Sequence, residues 1–201
     1  MRYLLISFCF LCVGCASYPK KNKFEKKETS DTFLRNTYFS DKAQDYVYKA
    51  SINIYKRHFG GILIIKKIND ANHRVVFTTE MGNKIFDFSF IDNDFTVNHI
   101  LEDFNKKILI SILKKDFRTL IKENMKLTNT YSYHEHLVFE TEIDKKKHYY
   151  YQTDNKISKI ARVSNGKEKV VFTFSEINDT IANLITIEHK GIKFKISLKS
   201  I

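Results

Sequence analysis

The stretch VVFTTEMGNKIFDFSF, Val75 to Phe90, decides how this chain reads. Val75 and Phe77 alternate with their neighbours, and Phe86, Phe88 and Phe90 then recur at every second position with Asp87 and Ser89 between them. A period of two places one set on each face of a strand. The intervening TEMGN has the composition of a tight turn, so the stretch reads as an antiparallel hairpin with an oily face. Its turn carries Met81 beside Gly82, an apolar side chain where water offers it no contact.

The same alternation extends outward. Tyr46, Tyr48, Ala50, Ile52 and Ile54 share one face of a long strand, Gly60 and Gly61 permit a reversal, and ILIIKKI and HRVVFTTE follow. KIFDFSFI and FTVNHI, separated by DND, continue the series. Between residues 101 and 125 the period changes to that of a helix, with Leu101, Phe104, Ile108, Ile112, Phe117 and Leu120 on one side. The run ILISIL is too apolar for a free surface, and a break near Lys114 to Asp116, with Asp116 as a cap, divides the region into two helices. Strand pattern resumes in YSYHEHLVFE, HYYYQT, KISKIARV, KVVFTFSE, LITIEH and IKFKISLK. The expected architecture is mainly β: a strongly curled antiparallel sheet of about eleven strands, an unclosed half-barrel with helices over its concave side. A two-sheet sandwich is the rival arrangement.

The N-terminus has a different character. Arg2 precedes an apolar run from Leu4 to Val13, the length of a secretory h-region and too short to span a bilayer. Cys12, Val13, Gly14 and Cys15 form a lipobox-like sequence, in which Cys15 is the thiol that accepts the lipid. All 3 cysteines fall in this leader, so a chain cut before Cys15 retains one acylated cysteine and no thiol for a disulfide. The expected organisation is a signal peptide over residues 1–14, a lipidated flexible tether over 15–32 and one domain over 33–201 with a helical lid near 101–125. Two or more acyl chains, palmitate among them, give a stable anchor where one holds only reversibly.

The chain carries 34 Lys and Arg against 23 Asp and Glu, a net charge of +11. The lysines are scattered and the chain reads as exported, which argues against nucleic acid as a partner. His134 and His136, two apart on an expected strand with Glu140 on the same face, are the one constellation that invites a metal, but no HExxH or comparable spacing supports it. Nucleophile motifs and phosphate-cradling loops are absent from the sequence. The expectation is therefore a non-catalytic protein without metal or cofactor.

Together the lipobox, the strand series and the central helical insert resemble the LolA/LolB superfamily, most closely the LolB-like outer-membrane lipoproteins. GGILIIKK resembles the family's second strand, HRVVFTTEMGNKIFDFSF its strand, turn and strand, NKKILISILKKDFRTLI its lid, and ITIEHKGIKFKISLK its closing hairpin. Glu80 stands where the family usually has Pro, and the Trp residues of some members are missing. The resemblance implies a monomeric receptor, lipid-anchored in the outer membrane and facing the periplasm. It would accept acylated lipoproteins from a periplasmic LolA-like carrier and insert them into the bilayer. It further implies that Met81 and Gly82 form a membrane-contact turn. The acyl chains would lie along Ile52, Ile54, Leu63, Ile65, Phe86, Phe88 and Phe90, beneath a lid of Leu101, Phe104, Ile108, Ile112, Phe117 and Leu120. An envelope scaffold lipoprotein, or a carrier of another amphiphile, is the alternative.

Overall fold

A computed structural model describes residues 16–178 and 181–201. The expected signal peptide and Cys15 lie outside them. The elements run α1 (Tyr18–Lys21), β1 (Glu25–Lys27), β2 (Phe33–Arg35), β3 (Asp45–Ile54), β4 (Arg57–Asn69), β5 (Asn72–Thr78), β6 (Lys84–Ile91) and β7 (Asp94–Ile100). A 3-10 turn (Glu102–Phe104) leads into α2 (Lys107–Ile121). Then come β8 (Asn124–Tyr133), β9 (His136–Ile143), β10 (Lys146–Thr153), β11 (Lys156–Ser164), β12 (Lys167–Asn178), β13 (Ile181–His189) and β14 (Phe194–Ser200). Every described strand thus lies between Glu25 and Ser200.

All pairings are antiparallel, in the order β1-β8-β9-β10-β11-β12-β13-β14-β3-β4-β5-β6-β7, with β2 also on β8. Most neighbours are consecutive hairpins. The exception that joins the two halves is β14 on β3, where Phe194 faces Ile54 and Ser200 faces Tyr48. The path has free ends at β1 and β7, so the sheet is open.

This corrects the expected architecture. The sheet has 14 strands, is neither closed nor strongly curled, and carries one long helix in place of several over a concave face. Three strands account for the difference in number. YSYHEHLVFE is two strands, β8 and β9, turning at His134 and Glu135, with His134 at φ 52°. Its alternation continues through the turn, so periodicity alone conceals the break. His134 therefore stands in a turn, while Glu140 is buried under Tyr131, Asn129 and Lys147. The other two strands, β1 and β2, come from residues 25–35.

The segment read as a flexible tether is docked from Ser17 to Lys27. Tyr18 is 5% exposed, its hydroxyl donates to Glu168 Oε1 at 2.6 Å, and it lies 2.6 Å from the Tyr151 hydroxyl. Phe24 fits among Tyr131, Tyr133, Tyr149 and Tyr151, and β1 pairs with β8 through Lys26 and Tyr131. These rings form a second apolar cluster on the face of the sheet away from the main core. Tyr149 and Tyr151 belong to it while Tyr150 belongs to the core, as alternate positions of one strand require.

Helix α2 is continuous through Lys114 and Asp116 because Asp116 is a buried anchor. Arg162 donates to its Oδ1 at 2.9 Å, and His189 Nε2 lies 2.7 Å from Oδ2. A buried carboxylate is tolerated when cations and hydrogen bonds surround it. The carboxylate fixes the helix to β11 and β13. The helix's C-terminal half, Asp116 to Ile121, is buried throughout, whereas Ile108 near its start is 78% exposed. The outer face of β6 holds a comparable anchor. Asp87 is 1% exposed and takes hydrogen bonds from Arg74, Lys84 and Asn98, with Arg74 foremost in holding it far below the usual carboxylate range.

Candidate functional site

The expected acyl-lining residues do not surround a common space. Ile52, Leu63, Ile65, Phe86, Phe88 and Phe90 are all 3% exposed or less and belong to the main core. Phe86 stacks on Phe88 at 4.6 Å between ring centres, and Phe104 and Phe117 close over Phe86 at 5.9 and 5.8 Å. Of the expected lid, Phe104, Phe117 and Leu120 are wedged into this core, while Leu101 and Ile108 face solvent.

Open apolar space lies instead along one edge of the sheet. Two hollows share Ile112 and Ile192 as walls. One, of about 360 Å³, lies between the first turns of α2 and the β3–β4 and β13–β14 hairpins, walled by Ile54, Phe59, Leu109 and Phe194. The other, of about 330 Å³, continues toward β9–β12 with Ile143, Val163 and Val170. Both volumes fall within the range of about 300–1,000 Å³ typical of ligand pockets. The groove exists because α2 sinks only its C-terminal half into the core. Leu109 and Ile112 remain half-buried above the strand ends. This answers the excess apolarity of ILISIL, and that run is the sequence signal for the site. Ile54, Ile108 and Ile112 are the residues anticipated from the sequence that line the groove. Phe59, Leu109, Ile192 and Phe194 were not anticipated.

Polar groups also line the second hollow. His148 is 1% exposed, with Nδ1 2.9 Å from the Lys146 carbonyl and Nε2 3.2 Å from Thr119 Oγ1. Burial pushes its pKa down to about 4, so the ring is neutral near pH 7. Nδ1–H then donates to the carbonyl, which leaves Nε2 as an acceptor. Arg162 lines the same hollow, and its Nη1 is buried without a partner among the described residues. Described residues hold no cluster of His, Cys, Asp or Glu with metal-binding geometry. The arrangement suits apolar binding, and the Thr119 hydroxyl beside His148 donates to the Lys115 carbonyl at 2.9 Å.

Met81 stands apart from the groove walls but not from this edge. In an antiparallel sheet alternate turns return to the same side. The turns at Tyr55–Lys56, Thr79–Asn83, Asp144–Lys145, Asn165–Gly166 and Lys190–Lys193 therefore follow one another along one margin. Met81 is 91% exposed, and Gly82 takes φ 84° with a backbone bond to Thr79 closing the turn. Tyr55, Leu101, Ile108 and Ile192 add exposed apolar surface on the same margin. At Gly166 a Cβ would come within 2.8 Å of the Ala16 carbonyl oxygen, so the start of the described chain lies on this edge as well.

Neither known family models nor curated proteins match the sequence. A solved structure does share the fold. A LolA superfamily protein from Nitrosomonas europaea superposes with a TM-score of 0.52 at 8% identity, covering 83% of this chain and 88% of that one. A putative outer membrane lipoprotein-sorting protein domain from Vibrio parahaemolyticus aligns at a TM-score of 0.41 and 5% identity, over 78% and 83% of the two chains. The chain thus shares its fold, at low sequence identity, with a LolA superfamily protein.

Proposed function

We propose that this protein is a non-catalytic, lipid-anchored envelope protein that shelters the acyl chains of lipoproteins in the groove beneath α2 and delivers them to the outer membrane. The groove itself carries the reading: two adjoining apolar hollows, open at the margin and walled by Ile54, Phe59, Leu109, Ile112, Ile192 and Phe194. Each methylene kept from water is worth about 0.8 kcal/mol, so a chain moving between carrier and bilayer needs such a shield. A lipid on Cys15, one residue before Ala16, would tether the protein at the margin where the groove opens. The exposed Met81 would touch the bilayer there, and the partner would be a periplasmic carrier loaded with acylated cargo.

The test uses the chain from Ala16 on and a fluorescent palmitoylated peptide. Binding is expected for the native sequence and its loss for Leu109→Trp, which fills the groove. A native chain that ignores the peptide would remove the proposal. So would a Leu109→Trp variant that binds it equally well. A scaffold lipoprotein, the other envisaged role, would behave in the first of these ways.

A further inference from the structure

The acyl-binding groove has a charged rim that acyl chains alone do not use. Lys56 and Lys193 flank its outer mouth, Lys106 stands at the foot of α2, and Lys115, Lys146 and Lys169 surround the inner hollow. None of these six has a carboxylate within salt-bridge distance among the described residues. The two carboxylates that line the groove are already engaged, Asp103 by Arg57 at 2.6 Å and Asp144 by Arg118 at 3.2 Å. Some lysines elsewhere are paired, Lys66 with Asp45, Lys67 with Glu123, Lys147 with Glu140 and Lys159 with Glu168, while others such as Lys126, Lys195 and Lys199 stand free among the described residues, so what distinguishes the rim lysines is their gathering around one apolar groove. A third hollow, at the β4–β5 and β6–β7 turns, contains Asp70, Asp92 and Glu123 and has no such excess.

Within the inner hollow Arg162 adds a further cation. Its side chain is 11% exposed and spends Nη2 on Asp116, while Nη1 is buried and unpartnered. A buried guanidinium nitrogen without an acceptor costs free energy that an anionic oxygen would recover. An apolar slot with an unneutralised basic rim matches a molecule that is oily at one end and anionic at the other.

We propose that the groove binds an anionic glycerophospholipid, its acyl chains against Leu109, Ile112, Ile192 and Phe194 and its phosphate among Lys115, Lys146, Lys169 and Arg162. This inference rests on the acyl-binding reading of the groove and adds a headgroup requirement to it. The slot supplies the hydrophobic energy and the rim supplies the choice among headgroups, since a zwitterionic lipid offers the lysines no net charge. Flexible lysines suit a ligand that must also leave, because each contributes as a solvated point charge without fixed geometry.

The chain from Ala16 on is incubated with vesicles of phosphatidylcholine, or of phosphatidylcholine mixed with phosphatidylglycerol. It is then separated from them, and the lipid that stays with it is identified by mass spectrometry. Phosphatidylglycerol is expected to be retained about tenfold over its share in the vesicles, equivalent to about 1.4 kcal/mol. The triple variant K115Q/K146Q/K169Q alters only exposed or rim positions, and it should keep its melting temperature and lose the preference. Leu109→Trp should lose both lipids. Equal retention of the two lipids by the native chain overturns the headgroup inference and leaves acyl binding intact. Retention of neither lipid overturns both. A preference that survives the triple variant, or survives Leu109→Trp, places the anionic lipid elsewhere on the protein and overturns the proposal.

Discussion

Removing the Tyr18 ring tests whether the N-terminal segment is part of the fold. The ring is 5% exposed, 4.6 Å from Tyr149 and 5.6 Å from Phe24 between centres, and its hydroxyl meets Tyr151 and Glu168 at 2.6 Å each. Truncating a buried aromatic side chain costs about 3–5 kcal/mol. Strand β1 contributes only three residues of ladder to β8, too little to keep the segment in place by itself. Tyr18→Ala should therefore release residues 16–27, and the loss of global stability is capped by the docking energy of that segment. At about 2–4 °C per kcal/mol for a chain of this size, the melting temperature should fall by roughly 10 °C. Tyr18→Phe keeps the ring and loses the bridging hydroxyl, so it should cost about 1–2 kcal/mol. Thermal unfolding measures the global change, and hydrogen exchange at Lys26 and Lys27 measures the local one. A free tether predicts no change in either. Identical melting of Tyr18→Ala and native protein, with unprotected β1 amides in both, would refute the docking argument.

Four further outcomes follow from the same contacts. Asp116→Ala leaves the Arg162 and His189 side chains without their shared acceptor, and it should lower stability by about 3–5 kcal/mol in urea unfolding. His148 is neutral in the folded state down to about pH 4 but takes up a proton near 6.5 when unfolded, so the unfolded chain binds more protons between those values. Stability should thus be intact above pH 6.5 and decline by up to about 3 kcal/mol as pH falls toward 4, with a shallower decline for His148→Gln in parallel urea titrations. Met81→Glu should leave stability within about 0.5 kcal/mol, because the side chain touches solvent, yet reduce sedimentation of the protein with vesicles; unchanged sedimentation would free the turn of any membrane role. Gly61→Ala would bring a Cβ within 1.9 Å of the Thr78 carbonyl oxygen across β4 and β5, so calorimetry should show a loss of at least about 1–3 kcal/mol.

Much of the sheet was legible because burial on one face imposes a period of two. In β3, Tyr46, Tyr48, Ala50 and Ile52 are the buried set, and in β14 the set is Phe194, Ile196 and Leu198, as their alternation requires. The turn at His134 was hidden because residues on both sides of it keep the alternation. The short strands β1 and β2 were hidden because GluLysLys and PheLeuArg carry almost no pattern. Their pairing is decided by β8, about a hundred residues away in the chain, and propensity cannot report such a partner. The site was legible in part. An apolar helix start with no evident burial announced itself in ILISIL, but its partners lie on hairpins whose approach depends on β14 joining β3. The rim lysines were indistinguishable from any solvated lysine until the fold gathered them around one groove.

Locating the groove at the sheet margin, and not inside the core, has an energetic reason. Had the phenylalanine faces been meant to admit an acyl chain, space the size of the inner hollow, about 330 Å³, would have to open among Phe86, Phe88, Phe104 and Phe117. At about 24 cal/mol per Å³ of cavity, such an opening would cost about 8 kcal/mol before any ligand entered. That equals the whole stability of an ordinary domain, about 5–15 kcal/mol. The chain avoids this cost by dividing α2. Asp116, clamped by Arg162 and His189, drives the second half of the helix into the core, while Ile108 stays exposed and Leu109 and Ile112 stay half-buried at the groove. A standing hollow needs no cooperative opening of the sheet. Exchange of ligand can then be limited to the first two turns of one helix and the lysines around them.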